Sequence, residues 1–273
     1  MKRFAVTVEK FVVLLLALAL GGTAFAQTAP NTKSLGEPKT ALYVGNSFFY
    51  YNNGMPGMVG RMLSAVVDPQ SRGQYRTTMA TIGGSGLDWH DLESFLKPGS
   101  RVASYSFTAD NKVVFNKFER PFDVVVMMDC SQCPIHPQLK DTFHEFARKD
   151  SQIAVKYGAK PVFFMSWAYA DKPEMTQQLA EQYTIAGNAN KALVVPAGLA
   201  FAKAIARDPK INLYDPDKRH PSLAGSYLGA ATILAAVYNK SPVGNSYTAG
   251  LDAATAAFLQ QVAADTVKEY LGL

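Results

Sequence analysis

Cysteine is scarce in this 273-residue chain: there are two, Cys130 and Cys133, in the spacing C-x-x-C. A structural zinc site needs four ligands, and neither a second C-x-x-C nor an H-x-x-x-H accompanies them, so no metal is expected. Thioredoxin-like redox pairs sit at a helix start behind the first strand of their fold, whereas this pair follows an apolar run late in the chain. A local disulfide is the first expectation and free thiols the second, with metal or redox chemistry behind both. Basic clusters are missing too. The formal charge is +5, yet no Lys/Arg run is interleaved with aromatics, which excludes a nucleic-acid footprint. Histidine is limited to His90, His136, His144 and His220. The chain also lacks internal repeats and any composition shift that would mark a second domain.

One long apolar run is present, at residues 11–20, and it is too short to span a bilayer comfortably. Lys2, Arg3 and Lys10 lie at or before its start, and Gly21, Gly22 and Ala24-Phe25-Ala26 follow. A charged start, a short apolar core and a small-x-small site make a secretory signal peptide over 1–26, cut after Ala26. Gln27, not Cys, stands directly after that site, so no lipid anchor is expected. The apolar run is too short for a retained membrane anchor to be expected, and the mature protein is expected to be periplasmic or secreted. Removing Lys2, Arg3, Lys10 and Glu9 takes two net positive charges from +5 and leaves +3. Residues 27–39 are polar with Pro and Gly and read as a flexible lead-in. Residues 40–273 are long enough for one sizeable core and read as a single domain.

Strand and helix patterns alternate along that domain. Apolar runs at 41–44, 122–128, 161–167 and 193–195 read as strands, and 75–80 reads as a strand as well. Residues 113–118 read as an edge strand or part of an insertion. Helical spacing marks 55–67, 87–96, 138–157, 174–189, 199–206, 222–238 and 253–271. The continuous run Phe122 to Met128 suits a strand covered on both faces. Strands separated by helices of this length predict a three-layer α/β/α sandwich around a mostly parallel sheet. Functional sites in such sheets gather at the carboxyl ends of the strands.

Two groups of polar residues fall at those ends. Gly45-Asn46-Ser47 directly follows the first strand, where a small Gly45 allows a tight turn and presents the Ser47 hydroxyl. Taken alone, Ser47 is as readily a helix cap. Asp217-Lys218-Arg219-His220 lies near the end of the chain. A serine hydroxyl is a weak nucleophile that needs an adjacent base, and imidazole takes up and returns protons near neutrality. Asp217, three residues before His220, can accept the other ring N–H and fix its orientation, with Asp215 as a second candidate. His136 and His90 lie near expected cleft loops, while His144 is expected on a helix surface. Phe48, Phe49, Tyr50, Tyr51 and Met55 are expected to divide between the core and the flank of an acyl or sugar pocket.

Gly45-Asn46-Ser47 and Asp217-x-x-His220-Pro221-Ser222 resemble the first and last conserved blocks of the SGNH/GDSL-like hydrolase superfamily. The matching block order runs from Tyr43 to Leu228. The resemblance implies a flavodoxin-like α/β/α fold, ester hydrolysis through a Ser-His-Asp triad, and no cofactor. It implies small-molecule or glycan ester substrates. The middle blocks of that superfamily supply the oxyanion hole. Here Gly83-Gly84-Ser85-Gly86 stands for the second, with Gly84 or Gly86 as the donor beside the Ser47 backbone. The third is usually Gly-x-Asn-Asp. In its place this chain has Cys130 at the Gly position and Gln132 at the Asn position, resembling a divergent branch with Ser-Gln there. Gln132 still offers an NH₂ donor, one methylene farther out. A non-catalytic binding protein on the same scaffold is the competing expectation, and a thiol oxidoreductase a third.

Overall fold

The computed structural model describes residues 28–100, 102, 105–115, 118 and 120–273. The signal peptide read at 1–26 lies outside them. Residues 28–39 contain no regular element, but they are tied down rather than loose. Asn31 N–H donates to Asn188 Oδ1 at 2.7 Å, Asn188 Nδ2 donates to the Ala29 carbonyl at 2.9 Å, and Lys160 Nζ donates to the Leu35 carbonyl at 2.9 Å. The side chain of Leu35 is buried in the core.

Five strands form the main sheet: β1 (Thr40–Gly45), β2 (Arg76–Thr81), β5 (Val124–Met127), β6 (Lys160–Phe164) and β7 (Leu193–Val195). All are parallel, in the order β2-β1-β5-β6-β7. The strand order reverses between β1 and β5, which makes their carboxyl ends the place where a crevice opens. The remaining strands, β3 (Tyr105–Phe107) and β4 (Val113–Phe115), pair with each other as a separate antiparallel hairpin. Of the run read at 113–118, Val113–Phe115 therefore belongs to an inserted hairpin and not to an edge of the main sheet. Its residues are exposed on both sides, so burial gave it no alternating pattern.

The helices are α1 (Ser47–Tyr50), α2 (Met55–Val66), α3 (Leu92–Leu96), α4 (Lys140–Lys156), α5 (Met175–Asn190), α6 (Ala197–Arg207), α7 (Leu223–Tyr238) and α8 (Ala253–Leu271). The pleat sorts them into two layers. Ala41 and Tyr43 of β1 face one core with Met58 of α2, Phe201 of α6, Tyr227 of α7 and Leu259 of α8. Leu42 and Val44 face the other, with Leu96 of α3, Phe143 of α4 and Leu179 of α5. Helix α7 is apolar and buried nearly all round, as expected of a helix covered by both sheet and helices. The predicted helix at 87–96 is split into a 3-10 turn, Leu87–Trp89, and α3, because His90 turns to extended backbone after the first piece and Asp91 caps the second by accepting from Ser94 N–H.

Candidate active site

Three loops at the carboxyl ends of the strands converge. The first follows β1. Asn46 caps α1 by accepting from Phe48 N–H at 3.2 Å, and its Nδ2 donates to the carbonyls of Ser85 at 3.0 Å and Asp129 at 3.1 Å. One buried amide thus ties together the loops after β1, β2 and β5. Ser47, next to it, opens the helix and is 8% exposed. Gly45 does not serve as the turn residue expected of it. Its requirement is space, since a Cβ there would lie 3.0 Å from the Phe49 ring and 3.3 Å from the Met128 carbonyl.

The second loop carries His220. Residues Tyr214 and Pro221 pair antiparallel, Asp215 N–H donates to the His220 carbonyl at 2.9 Å, and Lys218 takes a positive φ of 64°. Trp167 Nε1 donates to the Arg219 carbonyl at 3.0 Å, and Asn52 Nδ2 donates to the Pro221 carbonyl at 2.9 Å. Ser222 then caps α7. The loop is therefore fixed by its neighbours on both sides.

Ser47 and His220, 173 positions apart, meet at 2.8 Å between Oγ and Nε2. Asp217 Oδ2 accepts from His220 Nδ1–H, while Asp217 Oδ1 accepts the backbone N–H groups of Arg219 and His220, both at 2.9 Å. Asp215 contributes its backbone to closing the loop, so the carboxylate that orients the imidazole is Asp217. Partial burial pushes the Asp217 carboxyl up, but the bonds from His220 and the two backbone amides outweigh it and hold it at about 2. With Nδ1 donating to that carboxylate, Nε2 keeps its lone pair and accepts the Ser47 hydroxyl proton.

The third loop follows β5. Cys130 and Cys133 are joined in a disulfide. Together with Ser131 and Gln132 they line a cleft of about 320 Å³ that also contains Ser47, His220, Gly84 and His136. Gln132 lines the cleft with its Nε2 turned to Met175 Sδ at 3.8 Å. Gly84, with φ +74°, is on the cleft wall. Gly86 sits behind the wall, where a Cβ would come within 2.6 Å of Asp88 Oδ1 and 2.7 Å of Asp129 Oδ1.

His136 lines the cleft, but His90 is buried against Ser85 Oγ at 2.9 Å and His144 bridges to Gln182 Oε1 at 2.9 Å. Phe48 also lines the cleft and stacks on Trp167, with centroids 4.5 Å apart. Phe49 and Met55 belong to the core. Sequence reasoning missed Tyr169 and Arg219 on the cleft wall, and Asp129 behind it. Burial pushes the Asp129 carboxyl up to about 7, against the pull of the Cys130 and Leu87 amides, and the neighbouring Asp88 adds to the rise.

No protein-family model matches this sequence, and no curated protein does. Solved structures do. A DUF4886 family protein from Bacteroides uniformis is similar at 17% identity, with 83% of this chain and 93% of that one covered and a TM-score of 0.55. A protein assigned to the SGNH hydrolases from Slackia heliotrinireducens is similar at 23% identity, with 74% and 98% covered and a TM-score of 0.52. Axe2, an acetylxylan esterase from Geobacillus stearothermophilus, is similar at 16% identity, with 74% and 94% covered and a TM-score of 0.51. The five-stranded parallel sheet between two helical layers is the fold of the SGNH/GDSL hydrolases.

Proposed function

We propose that this protein is an exported serine esterase that hydrolyses acyl or acetyl esters carried on glycans or lipids. The observation that carries the reading is the chain of contacts from Ser47 Oγ through the His220 ring to Asp217. In the proposed reaction His220 Nε2 takes the Ser47 proton as Oγ attacks the ester carbonyl. The tetrahedral oxyanion receives hydrogen bonds from the Ser47 backbone N–H, the Gly84 backbone N–H and the Gln132 side-chain amide. His220 returns the proton to the leaving alcohol, and an acyl-serine remains. Water, deprotonated by the same nitrogen, then releases the acid and restores Ser47. Each oxyanion donor is worth about 3 kcal/mol of transition-state stabilisation in comparable sites.

Gly84 is favoured over Gly86 because it is on the cleft wall. Gln132 reaches the oxyanion by swinging from Met175, a weak sulfur acceptor whose loss costs little. The volume of about 320 Å³ suits a short acyl group with about one sugar ring. The acetylxylan esterase among the similar structures supports acetylated glycans as the substrate class. Export to the periplasm or outside the cell rests on the order of charge, apolar run and small residues in 1–26, with 40–273 as one hydrolase domain.

The test is labelling of the mature protein with a fluorophosphonate, peptide mapping of the adduct, and hydrolysis of p-nitrophenyl acetate. Label on Ser47, lost together with turnover in Ser47→Ala, is the expected result. Folded protein that neither labels nor turns over the ester would leave a binding protein on this scaffold. Label retained in Ser47→Ala would remove Ser47 as nucleophile.

A further inference from the structure

The two basic residues before His220 are used differently. Lys218 Nζ is 3.8 Å from Asp171 Oδ2. Arg219 instead lines the cleft with its guanidinium 4.8 Å from the Tyr169 ring centroid, and among the described residues no carboxylate lies within ion-pair distance of it. Its backbone is held at both ends, by Asp217 Oδ1 and by Trp167 Nε1. Tyr169 is held as well, its hydroxyl 2.7 Å from Ser131 Oγ. No Asp or Glu lines the cleft, whose other polar side chains are amides, hydroxyls and imidazoles. A guanidinium without a counter-ion on the wall of such a cleft attracts anions, and its planar fork matches a carboxylate through two parallel N–H···O bonds.

We propose that Arg219 selects esters that carry a carboxylate on the alcohol side of the scissile bond, the class to which acetylated acidic sugars belong. Tyr169 holds the guanidinium over its ring, and Ser131 holds Tyr169. The selection deepens the esterase reading and rests on it for turnover, but anion binding itself does not need the nucleophile.

Two acetate esters matched in shape separate the possibilities: 4-acetoxybenzoate, which is anionic, and 4-acetoxybenzamide, which is neutral. The kcat/KM ratio of the anionic to the neutral ester is expected to fall tenfold or more in Arg219→Gln and to be partly restored in Arg219→Lys. Because the ratio is compared between proteins, the intrinsic reactivity of the two esters cancels. Calorimetric titration of Ser47→Ala protein supplies the second arm, with the anionic ester binding at least tenfold more tightly than the neutral one and the Ser47→Ala/Arg219→Gln protein losing that difference. Selective binding without turnover in the wild type would overturn the esterase reading and keep the anion site. A ratio unchanged by Arg219→Gln, or equal binding of the two esters, overturns the role of Arg219.

Discussion

The ring of Tyr51 lies face to face on the imidazole of His220, with centroids 4.2 Å apart and planes 8° from parallel. Phe48 meets the same imidazole edge-on at 5.6 Å. The ring that passes a proton between Ser47 and the substrate in the proposed reaction is thus fixed in its plane by aromatics and in its rotation by Asp217. Burial, and then the Asp217 and Asp215 carboxylates, push the Tyr51 phenol up, so it stays neutral in ordinary buffers. A neutral ring stacked on imidazole is worth about 1 kcal/mol, and more when the imidazole becomes a cation in the transition state. Tyr51→Ala is expected to lower kcat on p-nitrophenyl acetate about tenfold, while Tyr51→Phe, which keeps the ring, stays close to wild type. Equal losses in the two variants would assign the effect to the hydroxyl instead.

Replacing Asp217 by Asn removes the anion that fixes the His220 tautomer, and kcat is expected to fall by about 10⁴ with the fold intact. The same carboxyl has a stability signature. Its folded value of about 2 lies below the ordinary value of about 3.9, so the unfolded chain binds the proton more readily. The stabilisation is therefore present above about pH 4 and is lost as the pH falls toward 2. Melting temperatures of wild type and Asp217→Asn should differ at pH 6 and draw together at pH 3. A gap that widens on acidification would contradict this origin.

The strands and most helices were legible because burial leaves a period. The strand at 193–195 and the helix at 253–271 were read to the residue, and Phe122 to Met128 covers the buried β5. Ser47, Asp217 and His220 were legible because block order along the chain matches their meeting at one edge of the sheet. Tyr169 and Arg219 were not, since their pairing depends on the path of two loops 50 positions apart. Asp129 gave no signal at all: next to an apolar run it reads as a strand-end turn residue, and only packing reveals the carboxyl as buried. His90 looked like a cleft residue by its neighbours, yet Ser85 holds it behind the wall.

The Cys130–Cys133 disulfide closes a small ring that contains Ser131 and Gln132, both on the cleft wall. Closing so short a loop removes about 2 kcal/mol of freedom from the unfolded chain in the entropic account. The double variant Cys130→Ala/Cys133→Ala is expected to lower stability by about that amount in urea. It should also lower kcat more than it raises KM, because Gln132, the proposed oxyanion donor, loses its fixed loop. Addition of dithiothreitol to wild type should reproduce the kinetic change, and re-oxidation should reverse it. Full activity in the double variant would show that the loop holds its shape without the bond.

Asp129 gives the opposite pH dependence from Asp217. It is buried beneath the cleft, accepts the Cys130 N–H at 2.6 Å, and has its carboxyl pushed up to about 7 by burial. Asp150, also buried, is pushed up to about 7 for the same reason, with Asp129 adding to the rise. A raised acid binds its proton more tightly in the folded state, so stability declines as the pH climbs from about 4 to about 7, by up to about 1.4 kcal/mol per pH unit for each such group. Wild type should therefore unfold at lower urea at pH 7.5 than at pH 5. Asp129→Asn, which keeps the acceptor for Cys130 N–H but does not titrate, should flatten that slope and leave the share due to Asp150. Urea midpoints that decline equally steeply in the variant would mean that Asp129 is already ionised in the folded protein at pH 5.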